Sequence, residues 1–384
     1  MKAQWFNEVH QIGEEKWQQA IGDTGYPFAQ YAFHAALEDS GSVGGKTGWY
    51  PEYILLMEDD ETPIGIVPTY LKTHSQGEFV FDWSWADAYQ RYGYNYFPKR
   101  VWAVPFSPVT GPRIFTTLDP DGKSDEMLGL YAVVGDLLTQ RTQQQKTSSW
   151  HLLFTKEHIR AAFEDEPVLA RVSCQFHWFN KHYRDMEHYL SHFSSRKRKS
   201  ARKERQKIVQ QGIHLERKLG NTLSQTDVEF FYICYQSTYA KRGQRGYLTL
   251  AFFEHLIDSM GDQIVLVLAY REASPIAASW CFFDDHSLYG RYWGCIEEVD
   301  CLHFEACYYQ GIEFCLEKGL QHFDPGTQGE HKIARGFEPV FSHSLHYIEN
   351  EGFREAIGAF CREEAESVIL YYKETANLLP FKEN

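Results

Sequence analysis

The chain contains no apolar stretch near the roughly 18 residues that a membrane-spanning helix requires. Its first residues, MKAQWFNEVHQIGEEKW, carry charges where a signal peptide would have its apolar segment. From these two absences we expect a cytoplasmic protein with no transmembrane segment.

Paired cysteine motifs are also absent. Four of the eight cysteines are scattered singly, and the other four, between residues 295 and 315, lack C-x-x-C spacing. Such spacing is typical of zinc sites, and regular cysteine frameworks are typical of small disulfide-rich domains. We therefore expect reduced, mostly buried thiols, and the sequence indicates no metal site.

Positive charge is scarce except in one segment. The formal net charge is −14, so the chain does not attract nucleic acid by its bulk charge. Residues 194–207, however, contain eight Lys or Arg and one Glu. They predict a basic helix, with Arg198 and Arg202 on one face, that contacts tRNA, a nucleotide-linked precursor or an anionic membrane surface. It lacks the bulky apolar face of a membrane-inserting helix. The alternative is a solvated helix paired with the acidic body.

What the sequence does contain is enough apolar material for two domains: it has 384 residues, of which 43% are hydrophobic and 16% aromatic. One pattern occurs twice, at 53–83 and 264–294, as three strands separated by polar turns. The predicted third strands alternate, through Phe79, Phe81 and Trp83 in the first copy and through Tyr289, Arg291 and Trp293 in the second. Chance similarity between two α/β segments is the alternative.

A helix and a further strand follow each copy. The first copy continues with a helical pattern at 128–142 and a strand at 148–154, and the second with a helix at 304–319 and a strand at 320–326. Each half thus has the order β-β-β-α-β, preceded by helices, which predicts an α/β fold with mixed sheets built twice. We place the lobes at 1–175 and 176–384, the second including the basic helix 194–207 and a C-terminal helix at 351–378.

The stretch HFDPGTQGEHKIARGF, residues 322–337, is the first candidate for a site, because it combines a carboxylate, an imidazole and two cations with glycines. Glycines let backbone amides approach a ligand closely. His331 or Glu330 could act as a base, and Lys332 and Arg335 could hold a carboxylate or phosphate. Gln328 could orient a carbonyl group. The alternative is a polar turn between a strand and the next element.

Other candidate residues come before this loop. We expect Glu305, at the start of a helix, to reach the same cleft as a catalytic group; otherwise it stabilises the helix dipole. His303 precedes it as a substrate contact. Arg291, between Tyr289 and Trp293, is either a ligand for an anionic substrate or a cation stacked in the core.

The first lobe offers one candidate pair. Asp82 and Trp85, in the segment VFDWSWADAY, would suit a cationic or sugar-like group. They would serve equally well as core residues with capped turns, and that alternative stays open.

Several segments carry a family resemblance. They are ALEDSGSVGGKTGW at 36–49, VFDWSWADAY at 80–89, VPFSPVTGPR at 104–113, SSRKRKSARKER at 194–205, LYGRYWGC at 288–295, HFEACYYQ at 303–310 and GTQGEHKIARGF at 326–337. With them the chain resembles bacterial predicted N-acyltransferases, which look like the Fem-type enzymes that attach amino acids to cell-wall precursors. The resemblance implies two tandem GNAT-like lobes, that is, the acyl-CoA N-acyltransferase fold.

The resemblance also bears on the acyl donor. In the Fem group a basic segment opens the second lobe, and Ser195, Lys197, Arg198, Arg202 and Lys203 are assigned to it here. Ordinary GNAT enzymes bind the coenzyme A pyrophosphate with a glycine loop that opens a helix. The equivalent place here, CIEEVDCLHFEAC, is acidic and lacks that pattern. Acyl-CoA and aminoacyl-tRNA are both possible donors, and neither is a certain cofactor.

Three functions are consistent with these features. The first is an N-acyl or N-aminoacyl transferase that acts on the amine of a small molecule or a muropeptide-like, cell-wall precursor. The second is a coenzyme A-dependent N-acetyltransferase with a nonstandard donor site. The third is a non-catalytic protein that recognises a cell-wall precursor, since a fold alone does not fix a function.

Overall fold

The computed structural model describes residues 1–118, 122–327 and 329–382. It contains two compact units, and neither is one continuous stretch of chain. The first comprises Met1–Thr24, Phe28–Cys174 and Phe341–Tyr371, and the second comprises Gly25–Pro27, Gln175–Val340 and Tyr372–Asn384.

The elements of the first unit begin at the N-terminus. They are β1 (Lys2–Phe6), α1 (Val9–Ile12), α2 (Glu14–Ile21), α3 (Tyr31–Asp39), β2 (Trp49–Pro51), β3 (Tyr53–Met57), β4 (Pro63–Val67), β5 (Thr69–Lys72), α4 (Trp83–Arg91), β6 (Lys99–Trp102), α5 (Asp125–Gln145) and β7 (Ser149–Thr155).

The second unit begins within the next strand. Its elements are β8 (Val168–Phe179), α6 (Met186–Ser191), α7 (Ser195–Gln210), β9 (Ile213–Leu219), α8 (Gln225–Ala240), α9 (Leu250–Met260), β10 (Ile264–Arg271), β11 (Ser274–Phe283), β12 (Ser287–Cys295), α10 (Leu302–Phe304), α11 (Gln310–Lys318) and β13 (His322–Asp324). Two elements complete the chain, β14 (Glu338–Ile348) and α12 (Glu351–Ala376), and most of both belongs to the first unit.

The first unit has a small sheet, β1-β3-β4, and a mixed sheet in the order β2-β5-β6-β7-β14. Only β6 and β7 are parallel among its described pairs; β14 runs antiparallel to β7. Helix α5 begins at an N-cap, Ser124, whose side chain accepts a hydrogen bond from the Met127 amide. Its buried face packs with Trp102 and Trp150 of the sheet in the main core of this unit.

The second unit is built on the sheet order β8-β13-β12-β11-β10-β9. β12 and β13 are parallel, and the other described neighbours are antiparallel. Helix α8 starts with a capping box formed by Ser224 and Asp227. It lies so close to β12 that a Cβ on Gly294 would come within 1.8 Å of the Cys234 carbonyl oxygen, so only glycine fits there.

The β-β-β-α-β order predicted for the second copy is confirmed by β10, β11, β12, the helix at 302–318 and β13. In the first copy, the predicted third strand through Phe79, Phe81 and Trp83 is wrong. Phe79 has a left-handed backbone with φ of 60°, and α4 begins at Trp83. The chain turns here because the Asp82 carboxylate points inward and pairs with the buried ammonium of Lys99.

The C-terminal helix differs from its predicted place. The sequence-based division puts 351–378 in the second lobe, whereas Phe341–Tyr371 belongs to the first unit. Long-range pairing between β14 and β7 causes this difference, with Leu345 opposite Leu152 and Tyr347 opposite Trp150. In the described part of the chain, no helix is both long and apolar enough to cross a membrane.

Candidate active site

Strands β12 and β13 are neighbours over only three residues. Ser287, Leu288 and Tyr289 pair with His322, Phe323 and Asp324. β12 then continues to Cys295, whereas the chain after Asp324 turns at Gly326, whose φ of 88° favours glycine. The two segments part at this point, and the side chains of the 322–337 stretch gather beside it.

Asp324 forms a buried ion pair with Arg291, and each side chain is only 1% exposed. Arg291 Nη2 lies 3.0 Å from Asp324 Oδ2, and the Gly326 amide donates to Oδ1 at 2.9 Å. Burial alone would raise the pKa of Asp324, but the charge of Arg291 and the hydrogen bonds hold that pKa well below its ordinary value. The carboxylate is therefore ionised at neutral pH.

Two histidines extend this cluster. His177 Nε2 lies 3.7 Å from Asp324 Oδ1, and its Nδ1 is 2.9 Å from Nε2 of His322. His322 Nδ1 in turn is 3.1 Å from the Ser287 hydroxyl. Burial lowers the pKa of both histidines, that of His322 to about 3. Both rings are thus neutral at pH 7, and His177 Nε2 has its hydrogen bond with Gln175 Oε1, at 3.1 Å.

Lys332 is the second buried cation of the cluster, at 1% exposure. Its ammonium donates a hydrogen bond to the carbonyl oxygen of Gly326. Burial lowers the pKa of Lys332 to about 7; the Asp324 carboxylate opposes the shift and Arg291 adds to it. This amine can therefore lose or take up a proton near neutral pH.

His331, the residue before Lys332, belongs to a second cluster. Its Nε2 lies 2.9 Å from the Tyr308 hydroxyl, and its ring centroid is 5.5 Å from that of His303. Trp293 lies on the other side of His303, at 5.4 Å. Burial, followed by the charges of Arg335 and Lys332, lowers the pKa of His331. Burial likewise lowers the pKa of His303 to about 4, so both imidazoles are neutral at pH 7.

Glu305 lies in a π-helical turn, Glu305–Tyr309, which is a local feature often found at functional sites. It is buried, and Arg205 of α7 contacts both carboxylate oxygens, at 2.8 and 3.0 Å. Arg205 also binds Glu313 at 2.7 Å. Glu305 therefore anchors α7 to the helix that follows β12.

The remaining charges of the loop have distinct positions. Arg335 is buried, pairs with Glu204 at 2.8 Å and stacks on Phe304, with 3.4 Å between its guanidinium carbon and the ring centroid. Glu330 is exposed at the start of the 3-10 helix Glu330–Arg335. Gln328 lies outside the described residues.

The structure thus brings together Lys332 and Arg291 around Asp324, and His331 and His303 around Tyr308. Trp293 contacts His303. Tyr289 is buried, and its hydroxyl donates to Asp284 at 2.9 Å, while its ring lies 5.6 Å from the Arg291 guanidinium carbon. The sequence-based reasoning missed His177. Alternation in QFHWF, residues 175–179, marks a strand face, but nothing local indicates that this face meets Asp324.

Asp82 and Trp85 belong to the first unit. Asp82 is buried, pairs with Lys99 and accepts from the Tyr96 hydroxyl at 2.6 Å. Trp85 is also buried and packs edge-on against His346, with 5.0 Å between ring centroids.

Arg198 and Arg202 lie on α7, the basic helix predicted at 194–207 and found at Ser195–Gln210. They line a groove of about 530 Å³ together with Ser195, Lys199, Lys203 and Gln206. Arg202 pairs with Glu187. Lys199 and Lys203 are exposed and form no ion pair with any residue of the described ranges. The groove is therefore cationic.

The segment after β12 is the one whose sequence lacks the glycine loop of coenzyme A-binding enzymes. It carries Glu297, Glu298 and Asp300, each paired with a cation: Arg271 at 2.6 Å, Lys241 at 2.7 Å and Lys207, respectively. Glycine-rich backbone amides at a helix N-terminus are what a pyrophosphate needs. The segment 296–301 contains these three carboxylates and no glycine, so it lacks that glycine pattern ahead of the helix at 302–318.

Comparison with solved structures shows what this fold resembles. The chain is similar to the C-terminal domain of a putative lysylphosphatidylglycerol synthetase from Agrobacterium fabrum, at 7% identity and a TM-score of 0.50, covering 91% of this chain and 96% of that one. It is similar to L-PGS from Bacillus licheniformis, at 10% identity and a TM-score of 0.51, covering 86% and 95%. FemX matches at 12% identity and a TM-score of 0.49, covering 93% and 100%.

These likenesses concern the fold alone, and the mixed α/β fold predicted for tandem GNAT-like lobes is confirmed. No curated protein sequence matches the chain. A family model for FemAB-like proteins, described as peptidoglycan biosynthesis/recognition, matches residues 8–383. Because that match spans nearly all of the sequence, the chain belongs to the FemAB-like family of peptidoglycan biosynthesis/recognition proteins.

Proposed function

We propose that this protein transfers an acyl or aminoacyl group to an amine of a peptidoglycan precursor. One observation carries the proposal: a buried lysine, Lys332, lies beside the Asp324–Arg291 ion pair where β12 and β13 part, and His331 follows the same turn. Membership of a peptidoglycan biosynthesis/recognition family supports the class of substrate.

The reaction requires from the site a base and a group that stabilises negative charge. As the amine nitrogen attacks the donor carbonyl carbon, a C–N bond forms, the amine loses a proton, and negative charge develops on the carbonyl oxygen. The neutral His331 imidazole can take that proton, with the exposed Glu330 as the other candidate base. The Lys332 ammonium can stabilise the oxyanion. The bond to the leaving oxygen then breaks, and that oxygen takes up a proton.

The donor follows from the charges around the site. The segment at 296–301 lacks the glycine-rich backbone that the pyrophosphate of coenzyme A needs. The cationic groove of α7 suits a phosphate backbone. We therefore propose an aminoacyl-tRNA as the donor, with Arg198 and Lys203 among its contacts. Arg205 of this helix pairs with Glu305, so we propose that Glu305 is a positioning residue that holds α7 beside the site.

The test is a transfer assay with the full chain, a radiolabelled aminoacyl-tRNA and a soluble muropeptide. His331→Ala should reduce product formation by about 100-fold or more, which is the usual effect of losing a general base. The matched control is His255→Ala, an exposed histidine on α9. Glu330→Gln distinguishes the two candidate bases.

Three outcomes would contradict the proposal. Equal activity in the wild type, His331→Ala and Glu330→Gln would remove the proposed chemistry. Binding of the muropeptide without transfer from any charged tRNA or acyl-CoA would favour a non-catalytic recognition protein. Transfer from acyl-CoA alone, unaffected by Lys203→Gln, would favour the coenzyme A-dependent enzyme.

A further inference from the structure

A buried cluster of the first unit sets two carboxylates against one ammonium. Lys99 of β6 is fully buried, and its Nζ bonds both Glu78, at 2.7 Å, and Asp82. It also donates to the Ser75 hydroxyl at 3.2 Å. Glu78 and Asp82 are themselves buried, at 4% and 3% exposure. Because they bind the same ammonium, the two carboxylates are neighbours.

Each carboxylate uses only one of its oxygens. Glu78 Oε2 accepts from Lys99, and Asp82 Oδ2 accepts from Lys99 and from the Tyr96 hydroxyl, the latter at 2.6 Å. The other two oxygens, Glu78 Oε1 and Asp82 Oδ1, are buried and have no hydrogen-bond partner among the described residues. A buried acceptor without a donor costs free energy. The pair therefore lacks a hydrogen-bond donor between or beside its members.

Neighbouring cations of the first unit are engaged elsewhere. Lys72 of β5 donates to the Gln76 carbonyl oxygen at 3.0 Å and lies 3.7 Å from the centroid of the Trp49 ring. Burial lowers the pKa of Lys72 to about 6, so this amine is mostly neutral at pH 7. Arg171 of β8 forms a two-point ion pair with Glu364, at 2.6 and 2.8 Å.

The other titratable side chains that face the pair are uncharged at pH 7. Burial lowers the pKa of each histidine among them and raises the pKa of each tyrosine. They are His74 after β5, Tyr89 of α4, Tyr96 before β6, His151 of β7 and His346 of β14. The cluster thus has one full positive charge, on Lys99, for two acids.

The two acids differ in how readily they take a proton. Burial alone would raise the pKa of Asp82, but the charge of Lys99 and the hydrogen bonds lower it. Burial raises the pKa of Glu78 to about 7, although Lys99 opposes the shift. A proton on Glu78 Oε1 turns that atom into a donor, for which Asp82 Oδ1 is an acceptor. A metal ion fits less well, because Ca²⁺ takes about six to eight oxygen ligands.

We propose that Glu78 and Asp82 hold one proton between them in the folded protein, and that this shared proton makes the start of α4 sensitive to pH. Asp82 directly precedes α4, and Glu78 lies in the turn that leads to it. With the proton, the pair and Lys99 are neutral together and hold the turn against β6. Without it, two like charges repel each other in a buried place. The device lies in the first unit and does not depend on the chemistry proposed for the second.

The direction of the pH effect follows from linkage. The folded chain keeps a proton on Glu78 that the opened chain releases above about pH 4.5, the ordinary value of this carboxyl. Opening at α4 therefore becomes easier as the pH rises from about 4.5 to about 7, and above that range it no longer changes through this group.

Infrared spectroscopy of the full chain tests the shared proton directly. The difference spectrum between the wild type and Glu78→Gln should contain the C=O band of a protonated carboxylic acid at pH 5.5 and lose it by pH 9. Asp82→Asn should also remove that band, because Lys99 then has only Glu78 to neutralise. Glu164→Gln, which changes an exposed acid of the first unit, is the matched control and should leave the band unchanged.

Hydrogen exchange with mass spectrometry tests the effect on α4. After correction for the chemical exchange rate, amides of α4 in the wild type should open about tenfold more often at pH 7 than at pH 5.5. Glu78→Gln should remove this pH dependence, because its amide group can donate to Asp82 at every pH.

Three results would overturn the proposal. The first is no acid band in the difference spectrum at pH 5.5, since both carboxylates would then be ionised and water would supply the missing donor. The second is opening of α4 that does not change with pH. The third is the same pH dependence in the wild type and in Glu78→Gln.

Discussion

Replacing Lys332 by Met should make the protein more stable and at the same time inactive. Lys332 is 1% exposed, and its ammonium donates to the Gly326 carbonyl oxygen. Methionine has a similar length, needs no hydrogen bond and prefers a buried position. The substitution therefore removes a charge that the fold buries at a cost and that the proposed chemistry requires.

The size of the effect follows from the pKa of Lys332, which burial lowers from 10.5 to about 7. At about 1.36 kcal/mol per pKa unit, the buried lysine costs about 4 kcal/mol of stability at pH 7. Losing its hydrogen bond to Gly326 offsets about 1 kcal/mol of the gain. We expect Lys332→Met to be more stable by about 3 kcal/mol at pH 7.

The sign of the pH dependence is also fixed. Since the folded pKa of Lys332 is below the unfolded one, the unfolded chain binds more protons between about pH 7 and 10.5. Wild-type stability from this group therefore rises with pH across that window, and the advantage of Lys332→Met should shrink by about 2 kcal/mol between pH 7 and pH 9.

The measurement is urea denaturation of the wild type and the variant at pH 7, 8 and 9. Lys373→Met, an exposed lysine of α12, is the control and should stay within about 0.5 kcal/mol of the wild type at every pH. A stability difference that does not change with pH would refute the reasoning, because the Lys332 ammonium would then be as well stabilised in the folded chain as in water.

Two further predictions concern other buried groups. Asp324→Asn leaves Arg291 buried without its counter-charge and should lower the free energy of unfolding, measured by urea denaturation, by about 3 to 5 kcal/mol. The exposed control Asp258→Asn should leave that free energy unchanged. An equally small effect at Asp324 would contradict the ion-pair account. In the first unit, burial lowers the pKa of His34 to about 4. Because the unfolded chain protonates His34 more readily than the folded one, the protein should lose up to about 3 kcal/mol of stability as the pH falls from 6.5 to 4. His34→Phe should make stability depend less on pH in this range. An unchanged slope would show that other groups cause the dependence.

Local patterns in the sequence predicted most elements of the second unit. Apolar alternation identified β10 to β12, and the spacing of apolar side chains identified α5 and the helix at 302–318. The cluster at 322–337 was visible because acids, bases and glycines are close in sequence. In these cases the information lies within a few residues of the feature, so a single sequence is sufficient to predict it.

The failures have one physical cause, which is pairing between residues that are far apart in sequence. Alternation in Phe79, Phe81 and Trp83 is typical of a strand, but the ion pair between Asp82 and Lys99 pulls the chain inward and starts a helix. Arg205 similarly reaches Glu305 across 100 residues. No local pattern predicts such partners, because each depends on the completed fold.

The discontinuity of the first unit has a consequence for how the protein is made. Strand β14, which pairs with β7 through Leu345, His346 and Tyr347, is synthesised only after the whole of residues 175–340. Until then β7 presents an unpaired edge, the kind of surface that invites wrong pairing. A nascent chain would therefore need shielding for much of its translation, and a gene shortened after residue 174 should yield an aggregating fragment rather than a smaller folded protein.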